Sequence, residues 1–225
     1  MDTNTFNNLI SQTWPDLHAA STLGGGTFGT VYACTKTDAV TGVTQKEAVK
    51  VVRVDFTPED RASADEEGIP FADYYRAVKE KRLQEIRWMV ALKSPHIVHI
   101  NDYTAIEEPD LSALYILIRM DCLTALDQLR PAHLNDTPEQ AAALAEKVAL
   151  DICDALRVCH QNGVLHQDIK PANILCSDAG DFYLGDFGIS KGTAQQASMT
   201  SSGTLEYAPR EVMTGQYDHR ADLYS

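Results

Sequence analysis

The chain has 225 residues, 44% hydrophobic and 23% charged, a composition typical of a soluble globular protein. Its 32 acidic residues outnumber 19 basic ones, and the net charge of −13 disfavours nonspecific nucleic-acid binding. The five cysteines are scattered without a CxxC pair, which argues against a disulfide or zinc framework. The longest apolar run, 113–118, is too short to span a membrane, and no signal-peptide pattern opens the chain. These features predict a cytoplasmic protein with no nucleic-acid or membrane partner within this chain.

The beginning of the chain predicts a short helix followed by strands. Residues 4–14 carry apolar side chains at helical spacing and are expected to form a lead-in element within segment 1–16. Residues 17–54 are rich in Thr, Val and Tyr and are interrupted by glycines, which predicts three antiparallel strands.

A polar interruption and a helix are expected next. The acidic stretch 56–69 is interpreted as an inserted loop, because it lacks an apolar periodicity. A helix is predicted over 71–92, with an apolar stripe made by Leu83, Ile86 and Val90. Two further strands are predicted at 97–105 and 113–119.

After residue 120 the pattern becomes helical. Pro138 just inside a helix start, with Thr137 as N-cap, and Gly163 at the end predict one long helix. Its buried face is expected to consist of Val148, Ile152, Ala155, Leu156 and Cys159. Cys153 and Cys159 both fall on this helical pattern and are expected to behave as small buried apolar groups.

The most informative stretch follows that helix. Residues 166–173 have the sequence HQDIKPAN, and Asp186-Phe187-Gly188 begins thirteen positions after Asn173. The two segments supply a carboxylate, a cation, an amide and a second carboxylate. Phosphoryl transfer uses such a set, because one group accepts the proton of the attacking hydroxyl, a cation steadies the phosphate, and oxygen ligands hold Mg²⁺.

These segments resemble the catalytic loop and the metal-binding motif of eukaryotic-type protein kinase domains of the Ser/Thr class, with a further similarity to bacterial members. The resemblance implies an α+β bilobal fold, with a five-stranded antiparallel N-lobe and a helical C-lobe that lacks its last helices. The N-lobe would comprise 17–119, with an insert at about 56–69, and the partial C-lobe would comprise 120–225.

A glycine-rich segment near the start fits the same family. Gly24, Gly26 and Gly29 have the GxGxxG spacing, which also occurs in dinucleotide-binding Rossmann folds. A Rossmann loop would lead into a helix, whereas residues 30–34 are strand-like. The sequence therefore favours a strand–turn–strand hairpin that lies over phosphates.

The resemblance also implies an ATP site. Lys50 would contact the α- and β-phosphates and pair with Glu85 on the following helix, with Glu80 as the alternative partner. Backbone groups of 119–121 would contact adenine. The residues expected to bind ATP are Leu23, Gly24, Gly26, Gly29, Val31, Ala48, Lys50, Ile118, Met120 and Leu175.

Further roles follow from the catalytic motif by resemblance. Asp168 would accept the proton of a substrate Ser or Thr hydroxyl, and Lys170 would stabilise the γ-phosphate. Asn173 and Asp186 would bind Mg²⁺, whereas His166 is expected to be structural and to stack near Phe187. The expected cofactors are ATP and Mg²⁺, and the expected partners are protein substrates.

Two places depart from the family pattern. Gln167 stands where many kinases have an Arg that pairs with a phosphate on the activation segment, and a neutral amide cannot make that ion pair. The expected Ala-Pro-Glu is Ala-Pro-Arg-Glu at 208–211. The activation segment would include Thr200, Ser201, Ser202 and Thr204. The possible autophosphorylation sites are Thr193, Ser198, Thr200, Ser201 and Ser202.

The end of the chain leads to an expectation about length. Residues 222–225 resemble the opening of the buried helix that supports the catalytic loop, so the chain is expected to be part of a longer kinase and poorly stable by itself. A cooperative melt with robust turnover would contradict this. The alternatives to an active kinase are an ATP-binding pseudokinase and an inactive fragment that acts as an interaction module.

Overall fold

A computed structural model describes residues 1–26, 29–38, 40–129, 133, 136–186 and 218–224. The chain divides into two compact units. The first unit comprises Met1–Gln84 with His99–Cys122, and the second comprises Glu85–Val98 with Leu123–Ser225.

The first unit contains the predicted five-stranded antiparallel sheet, which is confirmed. Its strands lie in the order β1-β2-β3-β5-β4, and every neighbouring pair is antiparallel. The strands are β1 (Leu17–Gly26), β2 (Gly29–Thr37), β3 (Thr44–Asp55), β4 (Ile100–Glu107) and β5 (Ala113–Asp121).

A short N-terminal helix, α1 (Thr3–Ile10), covers one face of this sheet. The side chain of Asp2 caps it by accepting from the Thr5 amide at 2.9 Å. Phe6 and Ile10, four residues apart, are fully buried and belong to one apolar cluster with residues of β1, β2, β3 and β5. The predicted lead-in helix is confirmed, although it ends at Ile10 rather than near residue 14.

The predicted loop over 56–69 is wrong, because this stretch contains helix α2 (Pro58–Glu66). Thr57 and Asp60 form a reciprocal capping box, and Pro58 occupies the first helical turn. The Arg61 guanidinium then lies 3.9 Å from the centre of the Phe71 ring, at the start of the next helix, and its Nη2 donates to the Asp110 carbonyl, between β4 and β5, at 2.9 Å. The cap was visible in the sequence, whereas the apolar periodicity that usually reveals a helix was absent.

Helix α3 (Phe71–Ala91) confirms the next prediction, but its apolar stripe differs in one position. Ile86 is fully buried and Leu83 is partly buried, whereas Val90 is 44% exposed. Met89 instead packs against the apolar cluster of the second unit. The difference arises because adjacent helical residues lie about 100° apart, so only one of Met89 and Val90 can face the core.

The second unit is organised by helix α5 (Pro138–Gln161), whose predicted cap and end are confirmed. Thr137 forms a capping box with Gln140, and Gly163 after the helix has φ +71°. The remaining elements are β6 (Thr124–Ala125), α4 (Leu126–Leu129), a 3₁₀ turn (Pro171–Asn173), β7 (Ile174–Cys176), β8 (Phe182–Leu184) and α6 (Arg220–Tyr224).

The predicted buried face of α5 is confirmed. Ile152, Ala155, Leu156 and Cys159 join β7 and β8 in the apolar cluster, with Val148 partly buried against them. Cys153 contradicts its prediction because it is exposed, one position round the helix from Ile152. Within the described part of the chain, no helix is long and apolar enough to cross a membrane.

Candidate active site

The predicted ATP-binding residues of three strands, β2, β3 and β5, lie on one face of the sheet in the first unit. Lys50 is paired across the strands with Val31 on one side and Ile118 on the other, and Ala48 is paired with Met120. Since opposite residues in antiparallel strands share a face, all five lie on the face opposite α1. Lys50 is only 6% exposed, so this charged side chain is buried in the sheet rather than turned to solvent.

The glycine-rich segment forms the expected hairpin rather than the start of a helix. β1 and β2 pair antiparallel from Gly24–Val31 to Gly26–Gly29, which excludes the Rossmann alternative. Gly29 has φ +120°, and a Cβ there would lie 2.2 Å from the carbonyl oxygen of Val51. Only glycine fits this close approach of two strands. A Cβ at Gly24 would meet nothing within 4 Å.

We expect Gly29→Ala to lower the free energy of unfolding by at least about 2 kcal/mol, because it combines an unfavourable backbone conformation with a clash against backbone. Gly24→Ala is the matched control in the same hairpin, and it should change stability by less than about 0.5 kcal/mol. Urea denaturation followed by circular dichroism compares the two. Equal destabilisation by both substitutions would contradict the assigned close approach.

The predicted catalytic motif lies in the second unit and is built around Asp168, which is 8% exposed. Asn173 Nδ2 donates to the backbone oxygen of Asp168 at 2.7 Å and to its Oδ2 at 3.0 Å. Lys170 Nζ lies 3.0 Å from the same Oδ2. Because both acceptors of Asn173 Nδ2 are oxygens, the amide orientation is determined by the network. The carboxylate is therefore held in one position by a cation and an amide.

Gly185 ties Asp186 to this loop. The amide of Gly185 donates to the backbone oxygen of Asn173 at 2.9 Å, and its carbonyl lies 2.8 Å from Nε2 of His166. A Cβ at Gly185 would lie 2.9 Å from Leu175 Cδ1, so a larger residue would displace that side chain. Asp186 itself has φ +52°, an uncommon backbone conformation for a residue other than glycine. Two hydrogen bonds from adjacent backbone thus place Asp186 beside the loop.

Asp222 of α6 anchors the start of the loop, as expected from the sequence. Its carboxylate accepts from the amides of His166 at 2.9 Å and Gln167 at 2.8 Å, and Nε2 of His160 lies 2.8 Å from Oδ2. Asp222 is 3% exposed, and Gln167 has φ +62°. A buried carboxylate with three partners thus maintains a backbone conformation that a non-glycine residue adopts at a cost of ~1–3 kcal/mol.

His166 is structural, in agreement with the expectation, because it is buried and joined to Gly185. Burial lowers the pKa of its imidazole below the ordinary value of 6.5, although the Gly185 carbonyl and nearby carboxylates oppose this shift. Burial therefore favours the neutral form of the ring in the folded protein. Its expected neighbour Phe187 lies outside the described residues, so the stacking stays a prediction.

The lowered pKa of His166 predicts acid sensitivity. Well above pH 6.5 the ring is neutral in both states, whereas below that pH the unfolded chain binds this proton more readily than the folded protein does. This side chain therefore contributes a loss of stability of at most about 1.4 kcal/mol per pH unit as the pH falls below 6.5. Urea denaturation between pH 7.5 and 5.5 should show a shallower pH dependence for His166→Gln. The same slope in both proteins would contradict the prediction.

A cluster of charged residues around the buried Asp151 in the second unit was not predicted from the sequence. Asp151 on α5 accepts from Lys147 Nζ at 2.8 Å and from the Phe182 amide at 3.0 Å, while His96 Nδ1 lies 2.9 Å from the Phe182 carbonyl. Burial raises the pKa of Asp151, but the bonds from Lys147 and Phe182 outweigh it, so the pKa lies below its usual value. No short motif joins these residues in sequence, and only the fold brings them together.

The other predicted site residues are distributed as follows. Glu85 is half-buried on α3, whereas Glu80 on the same helix is exposed, and the pairing of Lys50 with either residue stays a prediction. Leu23 is 37% exposed at the end of β1, and Leu175 is half-buried in β7. The activation-segment residues Thr200, Ser201, Ser202 and Thr204 lie outside the described part of the chain.

A glycine hairpin, a buried strand lysine and an anchored Asp–Lys–Asn loop are the features of a protein kinase. The family described as Protein kinase domain matches residues 17–225, and the chain belongs to this family. Its members use ATP and a divalent metal.

Named relatives agree with this assignment. The chain is 34% identical to Aurora kinase B of Drosophila melanogaster over 148 residues, which are 65% of this chain and 43% of the relative. It is 29% identical to serine/threonine-protein kinase PknH of Mycobacterium bovis over 212 residues, which are 92% of this chain and 31% of the relative. It is 36% identical to PknD of Mycobacterium tuberculosis over 138 residues, which are 60% of this chain and 20% of the relative. The chain thus spans less than half the length of these curated relatives.

Proposed function

We propose that this chain transfers the γ-phosphate of ATP to Ser and Thr hydroxyls of proteins. The observation that carries the proposal is the Asp168 carboxylate, buried and held by both Lys170 and Asn173. A carboxylate in a fixed position can accept the proton of an incoming hydroxyl as that oxygen attacks phosphorus. The proton moves to Asp168, the γ-phosphoryl group moves to the hydroxyl oxygen, and ADP leaves.

Lys170 has two tasks in this scheme. In the structure its ammonium group is paired with Asp168 Oδ2, and it keeps a partly exposed side chain. We assign it to the phosphoryl oxygens once ATP is bound, where negative charge spreads during transfer. Its bond to Asp168 holds the cation close to the base and the acceptor hydroxyl before substrates arrive.

Asn173 and Asp186 fit a divalent cation, for which Mg²⁺ is our proposal. The Nδ2 group of Asn173 is committed to Asp168, which leaves the amide oxygen as the atom suited to a hard cation. Asp186 adds a carboxylate, and the two bonds of Gly185 hold it beside Asn173. A bound Mg²⁺ would neutralise phosphate charge, and few protein ligands suffice because the phosphates complete its coordination.

The first unit is assigned to ATP recognition. Lys50 is a buried cation in the middle of the sheet face that also carries Val31, Ala48 and Ile118. We propose that its ammonium group binds the α- and β-phosphates, and that the apolar neighbours contact adenine. Pairing of Lys50 with Glu85 is part of this proposal. The acceptors would be Ser or Thr of other proteins or of this chain's own segment 200–204.

A transfer assay tests the proposal. The 225-residue chain is incubated with γ-labelled ATP, Mg²⁺ and a generic basic protein, and the label is located by residue type. We expect label on Ser and Thr, and its loss when the divalent cation is chelated. Binding of ATP without any transfer by the wild-type chain would support the pseudokinase alternative instead.

A further inference from the structure

Trp14 links the N-terminal segment to the sheet at one end of three strands. Its indole Nε1 donates to Asp102 Oδ2 of β4 at 2.8 Å, and the ring is only 4% exposed. The Arg119 guanidinium of β5 lies 5.7 Å from the ring centre, within cation–π range. A single aromatic side chain therefore contacts two neighbouring strands, through its polar edge and through its face.

Arg119 extends this linkage to a third strand. Its Nε lies 2.6 Å from Oε2 of Glu47 on β3, and Glu47 is 8% exposed. The side chains of Arg119 and Glu47 are only 19% and 11% exposed, so removal of one partner leaves the other charge poorly solvated. We call Trp14, Asp102, Arg119 and Glu47 the clamp.

The clamp lies directly behind the segment assigned to adenine. Arg119 is paired with Val49, and the next pairs along the strands are Ala48–Met120 and Glu47–Asp121. Because side chains alternate between faces, Arg119 and Glu47 project from the α1 face while Ala48 and Met120 project from the face of Lys50. The ion pair between Arg119 and Glu47 thus lies on the opposite face of the sheet from Ala48 and Met120, behind the stretch 119–121.

Trp14 precedes the matched family domain, which begins at residue 17. Helix α1 and the turn after it bring Trp14 into place, because Phe6 and Ile10 are buried on α1 and the Trp14 amide donates to the Ile10 carbonyl at 2.7 Å. The Phe6 ring also stacks on Tyr32 of β2, with ring centres 3.9 Å apart and planes 5° apart. The segment before the domain is therefore packed on the sheet through several independent contacts.

We infer that Trp14, Arg119 and Glu47 are positioning residues that set the backbone of 119–121 for nucleotide binding. The inference rests on the proposed function, and it makes the N-terminal segment part of the ATP site without any contact to ATP. Loosening the clamp changes how well adenine is bound and leaves the transfer step, carried by the second unit, unaffected.

Kinetics of clamp variants test the inference. Trp14→Leu keeps an apolar side chain but removes the indole N–H and the aromatic face, and Arg119→Lys keeps the charge but not the planar guanidinium. We expect each to raise KM for ATP about three- to tenfold while kcat changes less than about twofold. Trp14→Phe retains an aromatic ring and should recover part of the affinity for ATP. It replaces Trp14→Leu in the test if Trp14→Leu does not fold.

Ile10→Ala is the matched control, because Ile10 is fully buried in the same cluster and takes no part in the clamp contacts. It should lower the melting temperature at least as much as Trp14→Leu and leave KM for ATP unchanged. An equal rise in KM for Ile10→Ala would show that the clamp acts only through the general stability of the protein, and it would overturn the inference. Unchanged KM in both clamp variants would also overturn it.

A nucleotide-free readout separates this inference from the proposed function. Backbone amide NMR signals of Met120 and Asp121 should shift in Trp14→Leu and Arg119→Lys, and should stay in place in Ile10→Ala. Wild-type chain that neither binds nor turns over ATP would overturn the proposed function and, with it, the role in nucleotide binding. Wild-type turnover with unmoved amide signals in the clamp variants would overturn only the positioning role.

Discussion

Replacement of Asp168 by Asn is expected to lower kcat for phosphate transfer by about 10²- to 10⁴-fold, the range that a positioned general base contributes. The substitution keeps the size of the side chain and an oxygen that can accept from Asn173 Nδ2. It removes the basic site for the hydroxyl proton and the ion pair with Lys170. KM for ATP should change little, because the nucleotide is assigned to other residues.

The control for this substitution is Asp178→Asn, an exposed carboxylate in the turn between β7 and β8. It removes the same charge from the same unit, so it corrects for the change in net charge. Single-turnover transfer from labelled ATP separates the chemical step from product release. Retention of more than a tenth of wild-type kcat by Asp168→Asn would exclude Asp168 as the base.

Replacement of Asp222 by Ala should lower the free energy of unfolding by about 3–5 kcal/mol, comparable to the loss of one partner from a buried charged network. The carboxylate accepts hydrogen bonds from the amides of His166 and Gln167 and contacts the ring of His160. Without it, the buried amide of His166 and the partly buried amide of Gln167 lack acceptors, and the positive-φ conformation of Gln167 loses its support. Transfer activity should fall with stability, because Asp168 directly follows these residues.

Asp222→Asn should have a smaller effect than Asp222→Ala, because an amide oxygen can still accept one of the two backbone N–H groups. Asp218→Ala is the control, since Asp218 is exposed and its ion pair with Arg220 lies two residues away on the chain. Hydrogen exchange of the His166 and Gln167 amides, together with urea denaturation, provides the measurement. Unchanged exchange in Asp222→Ala would show that the loop does not depend on this anchor.

Several elements could be predicted because their signals are local. Thr137, Pro138 and Gly163 mark both ends of α5, and they do so through hydrogen bonds and backbone angles that depend on near neighbours. The antiparallel strands were similarly visible from residue type and alternation. Helix α2 was missed because its start signal, Thr57 with Asp60, was read without an apolar stripe to support it.

Other features depend on contacts that no sequence window contains. The exposure of Val90 and Cys153 was decided by which side of a helix met the core, a difference of one residue. Asp151 acquired its partners from residues 4 to 55 positions away, across three elements. The clamp joins Trp14 to Asp102 over 88 positions. Neither set has a motif, because the residues are brought together only when the chain folds.

The sequence by itself determined the family, since phosphoryl transfer needs a particular set of groups at particular spacings within two short loops. It also determined which residues were candidates, from Gly24 and Lys50 to Asp168, Asn173 and Asp186. The tertiary structure decided how those candidates are held: Asp168 by Asn173 and Lys170, Asp186 through Gly185, and the loop by Asp222. Spacing can specify which groups a chain offers, but burial and hydrogen-bond geometry arise only when distant segments pack together.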